Sequence, residues 1–199
     1  MWIRVTTLGV CIGVIGCGPR PVELGFWFDP VSFASPRIGG SVSANELATI
    51  EAIARSEIAK AFEPFQAPLT SNRNARYTVR VVQRLNDARM FRQVDVAGQS
   101  RAVSGFGGSG AVSFDFVANG AMVYSPEDAP RAIVIEALGR AIGRTAVHEF
   151  AHQLVPHTQI HDTRVPNSYE NGTASAAQYF GEMHWDIAAP SLEQRMGRR

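Results

Sequence analysis

Apolar and polar positions along the chain change period several times, and each change marks an expected element. "ELGFWFDP", residues 23 to 30, is a short aromatic and aliphatic run closed by Pro30, the composition of a strand. Ser43 and Glu46 have capping-box spacing, and Leu47, Ile50, Ile53, Ala54, Ile58, Ala61 and Phe62 then recur on one helical face until Pro64. In "RYTVRVVQR", 76 to 84, Tyr77, Val79 and Val81 alternate with Arg76, Thr78, Arg80 and Arg84, which predicts a strand with one wet face. "SGFGGSG", 104 to 110, reads as a flexible turn into an edge strand, "AVSFDFVAN". No Gly-Lys-Ser/Thr follows, so it is not a phosphate-binding loop.

A second helix is expected to start with Ser125 as cap, Pro126 in the first turn, and Glu127 and Asp128 where the dipole favours acids. Its pattern, "RAIVIEALGRAIGRTAVHEFAHQL", runs to Leu154, and Pro156 stops it. Gly139 and Gly143 each cost about 1 kcal/mol of helix stability relative to alanine, and they leave room for another element to pack closely. Beyond it lie turn-rich segments and a short C-terminal helix, "SLEQRMGRR". Strand, helix, strands, long helix and a loop-rich end, with no internal repeat, predict an α+β class with a small twisted sheet packed on two main helices.

Composition narrows the setting. The chain has 199 residues, 45% of them hydrophobic, enough for one core and one domain. Net charge is +1, eighteen of the nineteen basic residues are arginine, and like charges form no long block. Nucleic acid is therefore not an expected partner.

The N-terminus, "MWIRVTTLGVCIGVIGCGPR", places one early charge at Arg4 before an apolar run and small residues, the layout of a secretory signal. The run is shorter than the roughly 20 residues a spanning helix needs. "VIGC", Val14 to Cys17, resembles the lipobox of bacterial lipoproteins. That resemblance implies a signal over 1–16, lipidation of Cys17, a tether over 17–25 and anchorage at the bacterial cell envelope, which leaves 26–199 as the single domain. An ordinary or uncleaved apolar N-terminus is the alternative. The only other cysteine, Cys11, lies within the signal, so the mature chain would have no disulfide and would rely on packing and metal.

"TAVHEFAHQLVPHTQIHD", 145 to 162, holds four of the five histidines. On a helix, His148 and His152 are one turn apart and project from one face, within reach of one ion. Glu149 lies about 100° around the axis, placed to reach a water on that ion. The structural alternative is a helix C-terminus that carries imidazoles to suit its dipole.

With Thr145, Val147, Phe150, Ala151 and Leu154 around it, the stretch resembles the helix of H-E-x-x-H zinc peptidases, and more narrowly the metzincins. The resemblance implies a zincin-like fold with the motif on its active-site helix, one Zn²⁺ held by His148, His152 and a third ligand, and Glu149 as general base in peptide hydrolysis. The chain departs from the metzincin pattern where Val155 replaces the glycine and Thr158 the third histidine. His161, followed by Asp162, is the favoured third ligand; His157, Glu170 and His184 are alternatives, and Glu182 is a further candidate. Met183 resembles the methionine turn beneath the metal, although core packing also accounts for it. Tyr169 or Tyr179 could reach an oxyanion, and an extended peptide could lie along the expected edge strand near Ala111 to Val117. The competing class is a non-enzymatic envelope lipoprotein whose structural zinc is closed by four protein ligands, such as His148, His152, His161 and His184.

Overall fold

The computed structural model describes residues 22–85, 97–103, 107–155, 159–161 and 165–199. The chain is a mixed α+β molecule. The described residues form seven strands: β1 (Leu24–Phe28), β2 (Ala34–Ser35), β3 (Gly40–Ser41), β4 (Leu69–Thr70), β5 (Tyr77–Val82), β6 (Gly98–Val103) and β7 (Gly107–Ser113). The helices are α1 (Ala44–Phe62), α2 (Phe114–Tyr124), α3 (Arg131–Leu154), α4 (Ala176–Phe180) and α5 (Ala189–Met196). Five strands form one sheet in the order β4-β1-β5-β7-β6, parallel except for β6, which runs antiparallel to β7; β2 and β3 pair separately.

Local chemistry explains α1. Ser43 Oγ accepts from Glu46 N–H and the Glu46 carboxylate accepts from Ser43 N–H, closing the expected capping box. Ile50, Ala54, Ile58, Ala61 and Phe62 are its buried stripe. They meet Leu24, Phe26, Val79, Val81 and Val112 from one face of the sheet in a single core with α3. Residues 22–25, assigned to the tether on sequence, belong to this fold, since Val22 and Leu24 are already buried.

Three expectations are corrected. The edge strand expected over 111–119 is an interior strand, β7, which ends at Ser113. The Ser113 side chain then accepts from Phe116 N–H at 3.4 Å and caps α2, with Phe114, Val117, Ala118 and Ala121 buried at helical spacing. An extended peptide therefore cannot lie along Ala111 to Val117; among the described residues the edge on this side is β6.

Nor does the long helix begin at Ser125. Ser125 closes α2, and α3 starts at Arg131 after Pro130. A residue before proline is driven out of the helical region, so Ala129 breaks the run. Finally, β5 is central rather than wet on one face: Thr78 and Val82 are buried, and Arg80 is half-buried beside Asp29. No helix among the described residues is long and apolar enough to cross a membrane.

The glycines of β6 and β7 bring α3 down onto the sheet. A Cβ at Gly98 would stand 2.5 Å from Glu149 Oε1, one at Gly108 2.5 Å from Gln153 Cγ, and one at Gly110 3.1 Å from Gln153 Nε2. The Gln153 amide, seated there, accepts from Thr78 N–H at 3.2 Å and donates to Thr78 C=O at 3.1 Å. The supposed flexible turn is thus partly a landing surface for the long helix.

Candidate metal centre

Helix α3 is wedged between the sheet and the other helices, with seventeen of its twenty-four residues buried. On its last turns His148 and His152 face a cavity of about 670 Å³, and His161 reaches the same place from the following loop. The imidazole centroids form a near-regular triangle: 4.7 Å from His148 to His152, and 4.9 Å from each to His161. One nitrogen from each ring lies within 4.8 Å of the others, and His148 Nε2 and His161 Nε2 are 2.8 Å apart. Three nitrogens bound at 2.0–2.1 Å to a tetrahedral ion would stand about 3.3 Å apart. The triangle brackets that spacing, so these three histidines could hold a metal ion.

The ring orientations are set by the backbone. His148 Nδ1 lies 2.8 Å from Tyr169 C=O. A carbonyl can only accept, so Nδ1 carries the proton and Nε2 presents its lone pair to the centre. Burial pushes the His148 imidazole down to about 4, which keeps the ring neutral as a ligand must be.

Glu149 is 3% exposed and lines the same cavity. Burial pushes its carboxyl up to about 8, with the Ser100 hydroxyl acting in the opposite direction. Its Oε2 has no hydrogen-bond partner among the described residues. A buried carboxyl with one uncommitted oxygen beside three imidazoles fits a water or cation at the centre.

The remaining candidates are placed as follows. Glu170 is fully buried behind the site, with its carboxylate accepting from Ser168 Oγ, Asp186 N–H and Ala188 N–H. It is not among the clustered ligands. His184 is exposed, lies outside the cluster and pairs through its backbone with Ser168. Met183 lines the cavity. Tyr169 packs on Trp185 with centroids 4.9 Å apart, and burial pushes its hydroxyl up to about 12. Tyr179 is buried against Tyr124. Glu182 is exposed. His157, Asp162 and Cys17 lie outside the described residues.

Sequence reasoning overlooked Gly98 and Gly172. A Cβ at Gly172 would stand 2.6 Å from His161 Cδ2, so this glycine makes room for the third imidazole. The Asn-Gly pair at 171–172 marks a turn on sequence, but not what lies against it. Comparison of the chain with protein-family models, curated proteins and solved structures finds no match.

Proposed function

We propose that the chain is a zinc-dependent metallopeptidase of the H-E-x-x-H type, with His148, His152 and His161 as metal ligands and Glu149 as general base. One observation carries the reading: the buried Glu149 carboxyl keeps an uncommitted oxygen in the cavity where three imidazoles converge. A structural zinc closed by four protein ligands has no use for that acid.

Zinc at this centre would bring the pKa of a water to about 7 and polarise a substrate carbonyl. Glu149 would take the proton from the attacking water and pass it to the leaving amine, its carboxyl held ionised by the cation beside it. An extended peptide would add to β6, the edge of the sheet among the described residues, where Gly98 lies directly against the Glu149 carboxyl, so that the scissile bond would pass beside the base. Met183 contributes an apolar surface to the cavity wall. The string Val14 to Cys17 supports a lipid anchor that holds the domain at the bacterial envelope, facing peptide or protein substrates.

The test is metal content and peptide cleavage of the full chain and of His148→Ala, His161→Ala, His157→Ala and Glu149→Gln. One zinc per chain is expected, lost without His148 or His161 and retained in His157→Ala and Glu149→Gln. Cleavage should fall about 10²- to 10⁴-fold in Glu149→Gln. A folded wild type without zinc overturns the reading. Zinc retained with no cleavage of any peptide in a broad library would instead support the non-enzymatic lipoprotein with a structural site.

A further inference from the structure

Two consecutive carbonyls behind the histidine triangle do most of the orienting. Tyr169 C=O accepts from His148 Nδ1, and Glu170 C=O accepts from His161 N–H at 2.9 Å. His161 needs such a restraint. Its φ is +72°, the only positive value at a non-glycine residue among those described, and a conformation of that kind persists only where its surroundings hold it. Gly172, two residues further along the same loop, supplies the space that the His161 ring occupies. Segment 168–172 therefore meets two of the three ligands.

Tyr169 N–H donates to His184 C=O at 2.9 Å and Asn171 Nδ2 to Val165 C=O at 3.1 Å, and the Glu170 side chain adds the buried tie to residues 186–188. Glu170 is 0% exposed, and its carboxylate accepts from Asp186 N–H at 2.8 Å, Ala188 N–H at 2.9 Å and Ser168 Oγ. Ser168 Oγ in turn accepts from Glu170 N–H at 3.1 Å. The far end of this connection is fixed in the core: Trp185 Nε1 donates to Ala61 C=O at 2.7 Å, and Ala188 is fully buried. A chain of contacts thus runs from the end of α1, through Trp185 and the 186–188 backbone, to Glu170, and from its two neighbouring carbonyls to His148 and His161.

We infer that Glu170 is a positioning residue for the metal centre: its buried carboxylate clamps loop 168–172 so that the Tyr169 and Glu170 carbonyls preset His148 and His161 for one ion. The inference rests on the metal-site reading proposed above and changes the part Glu170 plays in it, from a candidate ligand to the anchor of two ligands. Each carboxylate oxygen already has a donor, two N–H groups on Oε1 and the Ser168 hydroxyl on Oε2, and Glu170 lies outside the histidine cluster.

The experiment is Zn²⁺ affinity, by competition with a chromophoric chelator, and the visible absorption of the Co²⁺-loaded full chain, for wild type, Glu170→Ala, Glu170→Gln and Gly172→Ala. Outer groups that orient ligands typically contribute about 10- to 100-fold in metal affinity. Glu170→Ala should weaken Zn²⁺ by about that factor and alter the Co²⁺ bands. Glu170→Gln, which keeps an oxygen for Asp186 N–H and Ala188 N–H, should stay within about threefold of wild type. Gly172→Ala tests the same cradle from the other side if Glu170→Ala fails to fold: it is exposed, and the atoms nearest its new Cβ are those of the His161 ring, so metal should weaken while far-UV circular dichroism is unchanged.

A wild type that binds no metal defeats the metal-site reading, and this inference with it. A wild type that binds metal, with Gly172→Ala and any folded Glu170→Ala matching it in affinity and spectrum, defeats this inference alone. Loss of metal in Glu170→Gln as severe as in Glu170→Ala, with Co²⁺ bands of a changed donor set, would make Glu170 a ligand after all.

Discussion

Glu149 and Glu170 are both buried glutamates, and their surroundings give them opposite work. Glu170 has a donor for each oxygen, whereas Glu149 leaves Oε2 without one among the described residues. The difference should be visible in the pH dependence of stability of the metal-free chain. Burial raises the Glu149 carboxyl from 4.5 to about 8, so across that interval the native state keeps a proton that the unfolded chain has released, and stability falls as pH rises. His148, lowered from 6.5 to about 4, acts the other way below 6.5, where the unfolded chain binds the extra proton. The Glu149 effect is therefore cleanest between pH 6.5 and 8. Urea titrations in chelator should show a loss of about 2 kcal/mol across it, at about 1.4 kcal/mol per pH unit, and Glu149→Gln should flatten it. Glu46, held at about 2 first by the Arg131 guanidinium and then by Ser43, supplies its stabilisation above 4.5 and loses it only as pH falls toward 2. It does not enter this window. The His148, Glu149 and His152 arrangement was legible because it depends on one helical turn. The part of Glu170 was not, because its donors at 186 and 188 carry no side-chain signature.

Helix α3 shows why an element can be easy to find and hard to delimit. With most of its surface buried it has no narrow apolar stripe, and its apparent start signals at Ser125 to Asp128 belong to the turn after α2. Pro130 marks the boundary instead. Likewise Val112, Phe114 and Phe116 alternate as in a strand, yet Phe114, Val117, Ala118 and Ala121 also fit a helix, and the Ser113 cap decides for the helix. The α3 glycines are places of close approach, as their spacing within an apolar helix suggests. A Cβ at Gly143 would lie 2.6 Å from Ala54 C=O and one at Gly139 2.9 Å from Ile53 Cβ, both on α1. Gly143→Ala thus sets a propensity gain of about 1 kcal/mol against a backbone clash that cannot relax by a rotamer change. The clash should win, with a net loss of about 1–3 kcal/mol in thermal or denaturant unfolding. An unchanged or raised midpoint would mean that the two helices separate easily.

At the scale of the whole molecule, the site is held by contacts between elements far apart in sequence. Arg144, 5% exposed, pairs with Glu57 at 2.8 Å and donates to Ala177 C=O at 2.7 Å and Gln178 C=O at 3.1 Å, joining α3 to α1 and α4 on one wall of the cavity. Removing one partner of a buried pair strands the other, at a cost of about 3–5 kcal/mol. Arg144→Met should accordingly lower the unfolding midpoint by about 6–20 °C in calorimetry. Adding Glu57→Leu should recover part of the loss, since no unpaired charge then remains. The C-terminus contributes as well: α5 buries Leu192 and Met196, and Gln66 N–H donates to Gly197 C=O at 3.1 Å, which closes the loop-rich end back onto the connection that follows α1. By itself the sequence determined the α+β class, the bounds of α1, the places of β1 and β5, and the turn carrying His148, Glu149 and His152. Each of these rests on a period or cap contained within a few residues. Only the tertiary structure decided that His161 completes the triangle, that β6 is the sheet edge beside Glu149 among the described residues, and that the Glu170 carboxylate bonds to Ser168 and to the backbone at 186 and 188. Those facts depend on buried hydrogen bonds and Cβ-free surfaces shared between distant segments, and no local pattern encodes which segments will meet.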